Sequence, residues 1–188
     1  VAEELSAIHA LPRFTEWSQL ILIESLAYQI KDAKLFEQTR TAAWPELSTS
    51  AFIDIARTYL QSGDVATAHQ WLEKIPENDT FRAREHGQLL QEIYKQQGNE
   101  EELTKLLTRN YHLNPSINSL DKLLEVVGAD KQEKLVEDVV SKIRTHTELD
   151  VQSVAFLLDI GKIDQAEEYV VKHAPQLNGD YFERLIPL

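Results

Sequence analysis

The chain has 188 residues, 43% apolar and 27% charged, which is enough apolar content for one sizeable core or a run of stacked repeats and is a poor match to disorder. Against 19 Lys and Arg stand 31 Asp and Glu, and the net charge of −12 repels nucleic-acid phosphates and anionic lipid headgroups, so neither a nucleic acid nor a membrane is the expected partner. Zero cysteines exclude disulfides, thiolate metal sites and cysteine nucleophiles from this stretch, and they fit a reducing, cytoplasmic location.

In chain order, residues 1–14 carry Leu5, Ile8 and Leu11 at helical spacing until Pro12, which predicts a short helix or a frayed end. The start has no basic segment followed by an apolar one, so no signal peptide is expected. Next, Trp17, Leu20, Ile21, Ile23, Leu26, Ala27 and Ile30 predict a helix whose apolar face is wide enough for burial on more than one side. Its apolar run is broken by Glu24, Ser25 and Gln29 and is too short to span a bilayer. Asp32 marks a turn, and Leu35, Phe36 and Ala42 place a second helix that Pro45 ends. Residues 15–45 thus read as a degenerate first hairpin, with Asp32 where later hairpins have glycine.

The clearest unit is FIDIARTYLQSGDVATAHQWLEKIP, Phe52 to Pro76. Phe52, Ile55, Ala56, Tyr59 and Leu60 share one helical face, Gly63 supplies a left-handed C-terminal turn, and Asp64 caps a second helix. That helix carries Val65, Ala68, Trp71, Leu72 and Ile75 and closes at Pro76. Gly63, Gly98, Gly128 and Gly161 then recur at separations of 35, 30 and 33, a period of about 34. Four residues before each stands Tyr59, Tyr94, Leu124 or Leu157. Five after stand Ala68, Leu103 and Ala166, and nine after stand Leu72, Leu107 and Val170. The Gly128 unit fits when two residues are inserted, bringing Leu135 and Val139 into those places. Second helices end at Pro76, near Pro115, around Thr145 to Glu148, and at Pro175. The final DYFERLIPL reads as the opening of another first helix, as in a piece of a longer protein. The expectation is one all-α domain over 1–188 of about nine to eleven helices, with hairpins near 15–45, 50–76, 82–115, 116–147 and 149–175.

Phe52, Ile55, Ala56, Tyr59, Gly63, Ala68 and Leu72 resemble the tetratricopeptide signature in spacing and type. The second unit keeps Leu90, Tyr94, Gly98, Leu103, Leu107 and Pro115 but departs at Gly87 and Gln91. The order LAYQIKDAKLF, FIDIARTYLQSGDVATAHQWLEKIP, AFLLDIGKIDQAEEYVVKHA and GDYFERLIPL also resembles a bacterial helical-repeat family of unknown function. The resemblance implies stacked antiparallel hairpins forming an α-solenoid, and it carries no activity with it.

Chemistry-bearing patterns are sparse. His9, His69, His86, His112, His146 and His173 never fall three or four apart, so no local pair can hold a metal. Glu100, Glu101 and Glu102 suit a helix N-terminus, and Glu167 and Glu168 diverge by about 100°. The single glycines follow helices and form no phosphate loop. No catalytic residue, metal or cofactor is expected.

In a tetratricopeptide arrangement the first helix of each pair lines a concave surface. The resemblance then puts Ile53, Arg57, Leu60 and Gln61 inward in one unit, Gln88, Glu92, Lys95 and Gln96 in the next, and Asn118, Lys122 and Glu125 in the third. Arg57, Lys95 and Lys122 could hold a carboxylate while Gln61, Gln88 and Asn118 bond to a peptide backbone. Val151, Ala155 and Leu158, inward in the fourth unit, are apolar and are expected to be covered. The predicted function is a non-enzymatic scaffold for a protein or peptide partner, with self-association possible in principle. The alternative is an accessory solenoid of a larger enzyme or nucleic-acid-associated regulator.

Overall fold

A computed structural model describes residues 17–174 except 45 and 77, and these residues form ten α-helices, one 3-10 turn and no strand. The chain divides into two compact units, one ending at Asn99 and the other starting at Glu100. This boundary falls inside the segment 82–115 that the sequence reads as a single hairpin. The expected helices over residues 1–14 and from Asp180 onward, with Pro45 and Pro175, lie outside the described residues.

The first unit contains α1 (residues 17–29), α2 (Ala33–Ala43), α3 (Thr49–Ser62), α4 (Val65–Leu72) and α5 (Ala83–Gln97). Consecutive helices pack on one another, and α3 also meets α5. The α3–α4 hairpin forms as its spacing predicts. Ser48 caps α3 by accepting from the Ala51 N–H at 3.4 Å, and Asp64 caps α4 by accepting from the Thr67 N–H at 3.0 Å. Between them Gly63 has φ +89°, its N–H reaches the Leu60 carbonyl at 3.1 Å, and the Asp64 N–H reaches the Tyr59 carbonyl at 3.0 Å. These bonds satisfy carbonyls that the helix end leaves open. Gly98 and Gly161 repeat the turn at φ +65° and +74°. α4 stops at Leu72 rather than Ile75, because Pro76 disfavours the helical region at the residue before it. Ile75 still closes the core from the turn.

The first hairpin corrects two expectations. The glycine-like residue is Lys31, at φ +58°, and Asp32 is the cap, accepting from the Leu35 N–H at 3.0 Å. The Lys31 N–H to Tyr28 and Asp32 N–H to Ala27 bonds match those at Gly63 and Asp64. Further, among the described residues α1 is packed on one narrow side, that of α2, where Tyr28 meets Phe36 and Trp17 meets Trp44 edge-on at 5.1 Å. Of its seven predicted apolar positions only Ala27 is buried. Leu22 (74% exposed), Leu26 and Ile30 face away from it.

The core of this unit is Phe36, Ile53, Ile55, Ala56, Ala68, Trp71, Leu72, Ile75 and Ile93, with Phe52, Tyr59 and Tyr94 packed at its edge. α3 and α5 run in the same direction: Arg82 meets Asp54 and Glu85 meets Arg57, both 28 positions apart (82 − 54 and 85 − 57).

The second unit contains α6 (Glu100–Leu113), α7 (Ile117–Val127), a 3-10 turn (Ala129–Lys131), α8 (Gln132–Thr145), α9 (Val151–Asp159) and α10 (Ile163–His173). The pairs α6–α7, α7–α8 and α9–α10 are in contact. Gly128 departs from the other glycines at φ +96°, ψ 146°, and the 3-10 turn absorbs the extra residues inferred after it. Of the positions the glycine register picks out here, Leu103, Leu107, Val139, Leu157 and Ala166 are buried and Leu124, Leu135 and Val170 are half-buried, and Tyr111 meets Phe156 edge-on at 5.9 Å in the centre.

Candidate interaction surfaces

The face of α3 that meets α5 carries ions packed against the apolar core. From α2, Arg40 pairs with Glu24 of α1 at 2.7 Å and lies 3.9 Å from Asp54 of α3. Asp54 also receives Arg57 at 3.5 Å and Arg82 at 3.0 Å. Glu85 closes the ring by pairing with both Arg57 and Arg82, and Arg82 donates to the Ser50 hydroxyl at 2.7 Å. Three guanidiniums meet three carboxylates, so the cluster is internally neutral, and its side chains are 15–32% exposed. Burial raises the Glu24 carboxyl above its usual range, opposed by Arg40 and aided by Asp54. Its second oxygen and the Arg40 Nε are buried with no hydrogen-bond partner in the structure. Arg82 accepts a left-handed backbone, φ +52°, at the start of α5, where its guanidinium reaches three partners. The sequence did not reveal this cluster, because its members are scattered over 62 positions, from Glu24 to Glu85.

The predicted site residues fall into three situations. Arg57 belongs to the ion cluster, and Ile53, predicted to line the concave face, is wholly buried. Gln61 is exposed at the end of α3. On α5, Gln88, Glu92 and Lys95 are exposed at i, i+4 and i+7, which aligns them on one face, and Gln96 donates to Glu92 at 2.8 Å. Asn118 is exposed and Lys122 half-buried on α7, one turn apart on a shared face. Neither lysine makes an ion pair among the described residues. Val151 and Leu158 on α9 are about half exposed, so nothing among the described residues covers the apolar face expected to be hidden.

In the second unit, α8, α9 and α10 enclose a depression of about 440 Å³ with Ile143, Leu157 and Tyr169 at its base and Arg144 and Lys172 at its edge. The Tyr169 hydroxyl accepts from the Asp150 N–H at 3.0 Å and donates to the Glu148 carbonyl at 3.0 Å, fixing the α8–α9 turn to α10. His173, buried, places Nδ1 2.8 Å from the Tyr169 carbonyl and Nε2 3.1 Å from the His146 carbonyl, which fastens the same turn. Near α6, Lys142 lies 3.2 Å from His112 Nδ1, and burial followed by that ammonium lowers the His112 pKa. Among the described residues no group of three or more His, Asp or Glu is placed to hold a metal, and no helix is long and apolar enough to cross a membrane. Comparison with protein-family models, curated proteins and solved structures finds no match.

Proposed function

We propose that the chain is a non-enzymatic interaction module: a tetratricopeptide-like array of helical hairpins that binds a protein or peptide through polar stripes on its first helices. The parallel α3 and α5, and the left-handed turn repeated at Lys31, Gly63, Gly98 and Gly161, support stacked hairpins. The carrying observation is Lys95 and Lys122. In a chain of net charge −12 both lack an ion-pair partner among the described residues, and each shares a helix face with an exposed amide, Asn118 one turn from Lys122 and Gln88 two turns from Lys95 with Glu92 between. Each such stripe offers a cation for a carboxylate and an amide for a peptide group.

Arg57 supports the fold of this surface more than its chemistry, since its charge is already matched by Asp54 and Glu85. Retention of a partner from cell lysate is therefore compared between the native chain and a Lys95→Glu/Lys122→Glu variant. Loss of the partner by a variant that remains helical supports the reading. Equal retention by both forms overturns it.

Self-association is favoured by one observation, the uncharged outward row of Leu22 and Leu26 on α1 and Ile30 in the turn after it. It predicts a mass that rises with concentration in light scattering and no longer does so in a Leu22→Ser/Leu26→Ser variant.

A further inference from the structure

The contact of α3 with α5 shows how consecutive first helices meet in this fold. Counted back from the left-handed residue that follows each helix, α3 offers Ile53, Arg57 and Leu60, ten, six and three places before Gly63. The α5 residues thirteen, nine and five places before Gly98 are Glu85, Leu89 and Ile93. Ile53 and Ile93 are wholly buried, Leu60 and Leu89 pack against the same core, and Arg57 pairs with Glu85. Both rows recur uncovered elsewhere in the chain. On α9 the places ten, six and three before Gly161 hold Val151, Ala155 and Leu158, all exposed. On α1 the places thirteen, nine and five before Lys31 hold Ser18, Leu22 and Leu26, also exposed. Thus α9 carries the row that α3 presents to α5, and α1 carries the row that α5 presents to α3.

We propose that the occupant of the α9 row is α1 of a second copy of this chain, laid parallel to α9 as α5 lies on α3, with Ser18 against Ala155 and Leu22 against Leu158. Charge selects this occupant. Where Arg57 meets Glu85, the equivalent residues are Ala155 and Ser18, so the cation and its carboxylate are replaced together and bringing the two rows into contact strands no ion. Loss of one charge alone would have left the other buried and unpaired. Two chains of net charge −12 also repel, and they approach most easily through uncharged faces. Between residues 17 and 30 the one charged side chain is Glu24, already paired with Arg40, and between 151 and 158 there is none. The two copies contribute different surfaces, so the contact is heterologous and continues past a dimer, whereas a pairing of α1 with α1 stops at two copies. The proposal rests on the self-association reading and supplies the other half of its contact.

The test is complementation, read as mass by light scattering on the full chain. Leu22→Ser/Leu26→Ser removes the α1 row and Val151→Ser/Leu158→Ser removes the α9 row, each at exposed positions and with native circular dichroism. The native chain is expected to exceed the dimer mass as concentration rises, each variant alone to stay monomeric, and their equimolar mixture to form a dimer and stop there, because one intact row remains on each. Since the chain has no cysteine, oxidation of a mixture of Leu22→Cys and Leu158→Cys chains provides a check that does not disrupt the rows. The product joining 22 to 158 is expected to outweigh that joining 22 to 22. Self-association of the α9 variant alone, with the α1 variant monomeric, overturns the proposal and leaves the self-association reading standing as an α1–α1 contact. A native chain that stays monomeric overturns both and assigns the rows to another partner. A mixture that fails to pair, with no preference for the 22–158 product, also overturns the proposal.

Discussion

Gly87 sits inside α5 with ordinary negative φ, and a Cβ built there meets no atom within 4 Å. It therefore carries the entropic cost of glycine in a helix without using its freedom. Gly87→Ala should raise stability by roughly 0.5–1 kcal/mol, read from the urea midpoint. Lys31 is the reverse case, a side chain in a left-handed turn that glycine fills at Gly63, Gly98 and Gly161. Lys31→Gly should stabilise by about 1 kcal/mol by removing the Cβ clash. Two histidines set a pH dependence. Burial lowers the pKa of His86, and burial with Lys142 lowers that of His112. Each takes up its proton later in the folded chain than in the unfolded one. Their contribution is therefore complete above the ordinary value of about 6.5 and is lost as pH falls below it. Glu24, raised by burial, works in the opposite sense. The discriminating quantity is thus the difference between native and His86→Gln/His112→Gln urea midpoints at pH 7.5 and 5.5. The native chain should lose more on acidification, and equal losses would contradict the assignment.

Among the elements, α3 carries the most structure per residue: one side supplies Ile53, Ile55 and Ala56 to the core, and Asp54 gathers Arg40, Arg57 and Arg82 from three helices. Asp54→Ala leaves three half-buried guanidiniums with one fewer acceptor and should cost about 2 kcal/mol. Ile53→Ala opens a cavity at a fully buried position and should cost about 2–5 kcal/mol. Helix positions were legible because glycine punctuation and apolar spacing are local signals: Gly63, Ala68 and Leu72 fixed a register that Leu103, Leu107 and Ala166 follow. The turn at Lys31 was misread because its backbone is set by the hydrogen bonds to Tyr28 and Ala27, which residue type does not announce. α1 was misread for a different reason. Its apolar pattern records which positions suit burial, but burial itself depends on a neighbouring surface, and among the described residues α2 meets only one side.

At the scale of the molecule, the sequence read well for where helices start and stop and poorly for what is assembled across them. The Arg40–Asp54–Arg57–Glu85 cluster and the α8–α10 groove draw on separated helices, and no spacing rule connects Glu24 to Arg40 or Arg144 to Gln165. Arg57 illustrates the difference: as a letter on a first helix it resembles Lys95 and Lys122, yet its guanidinium is committed inside the fold, while Lys95, exposed, and Lys122, half-buried, make no ion pair among the described residues. On the proposed function, the stripes bearing Lys95 and Lys122 are contact surfaces for a protein or peptide. The most direct measurement is amide hydrogen exchange by mass spectrometry on the chain alone and with its captured partner. Exchange should be slower over Gln88–Lys95 of α5 and Asn118–Lys122 of α7 in the bound form, and the slowing should vanish in Lys95→Glu/Lys122→Glu. Protection confined to other segments, with these two exchanging as in the free chain, would contradict it.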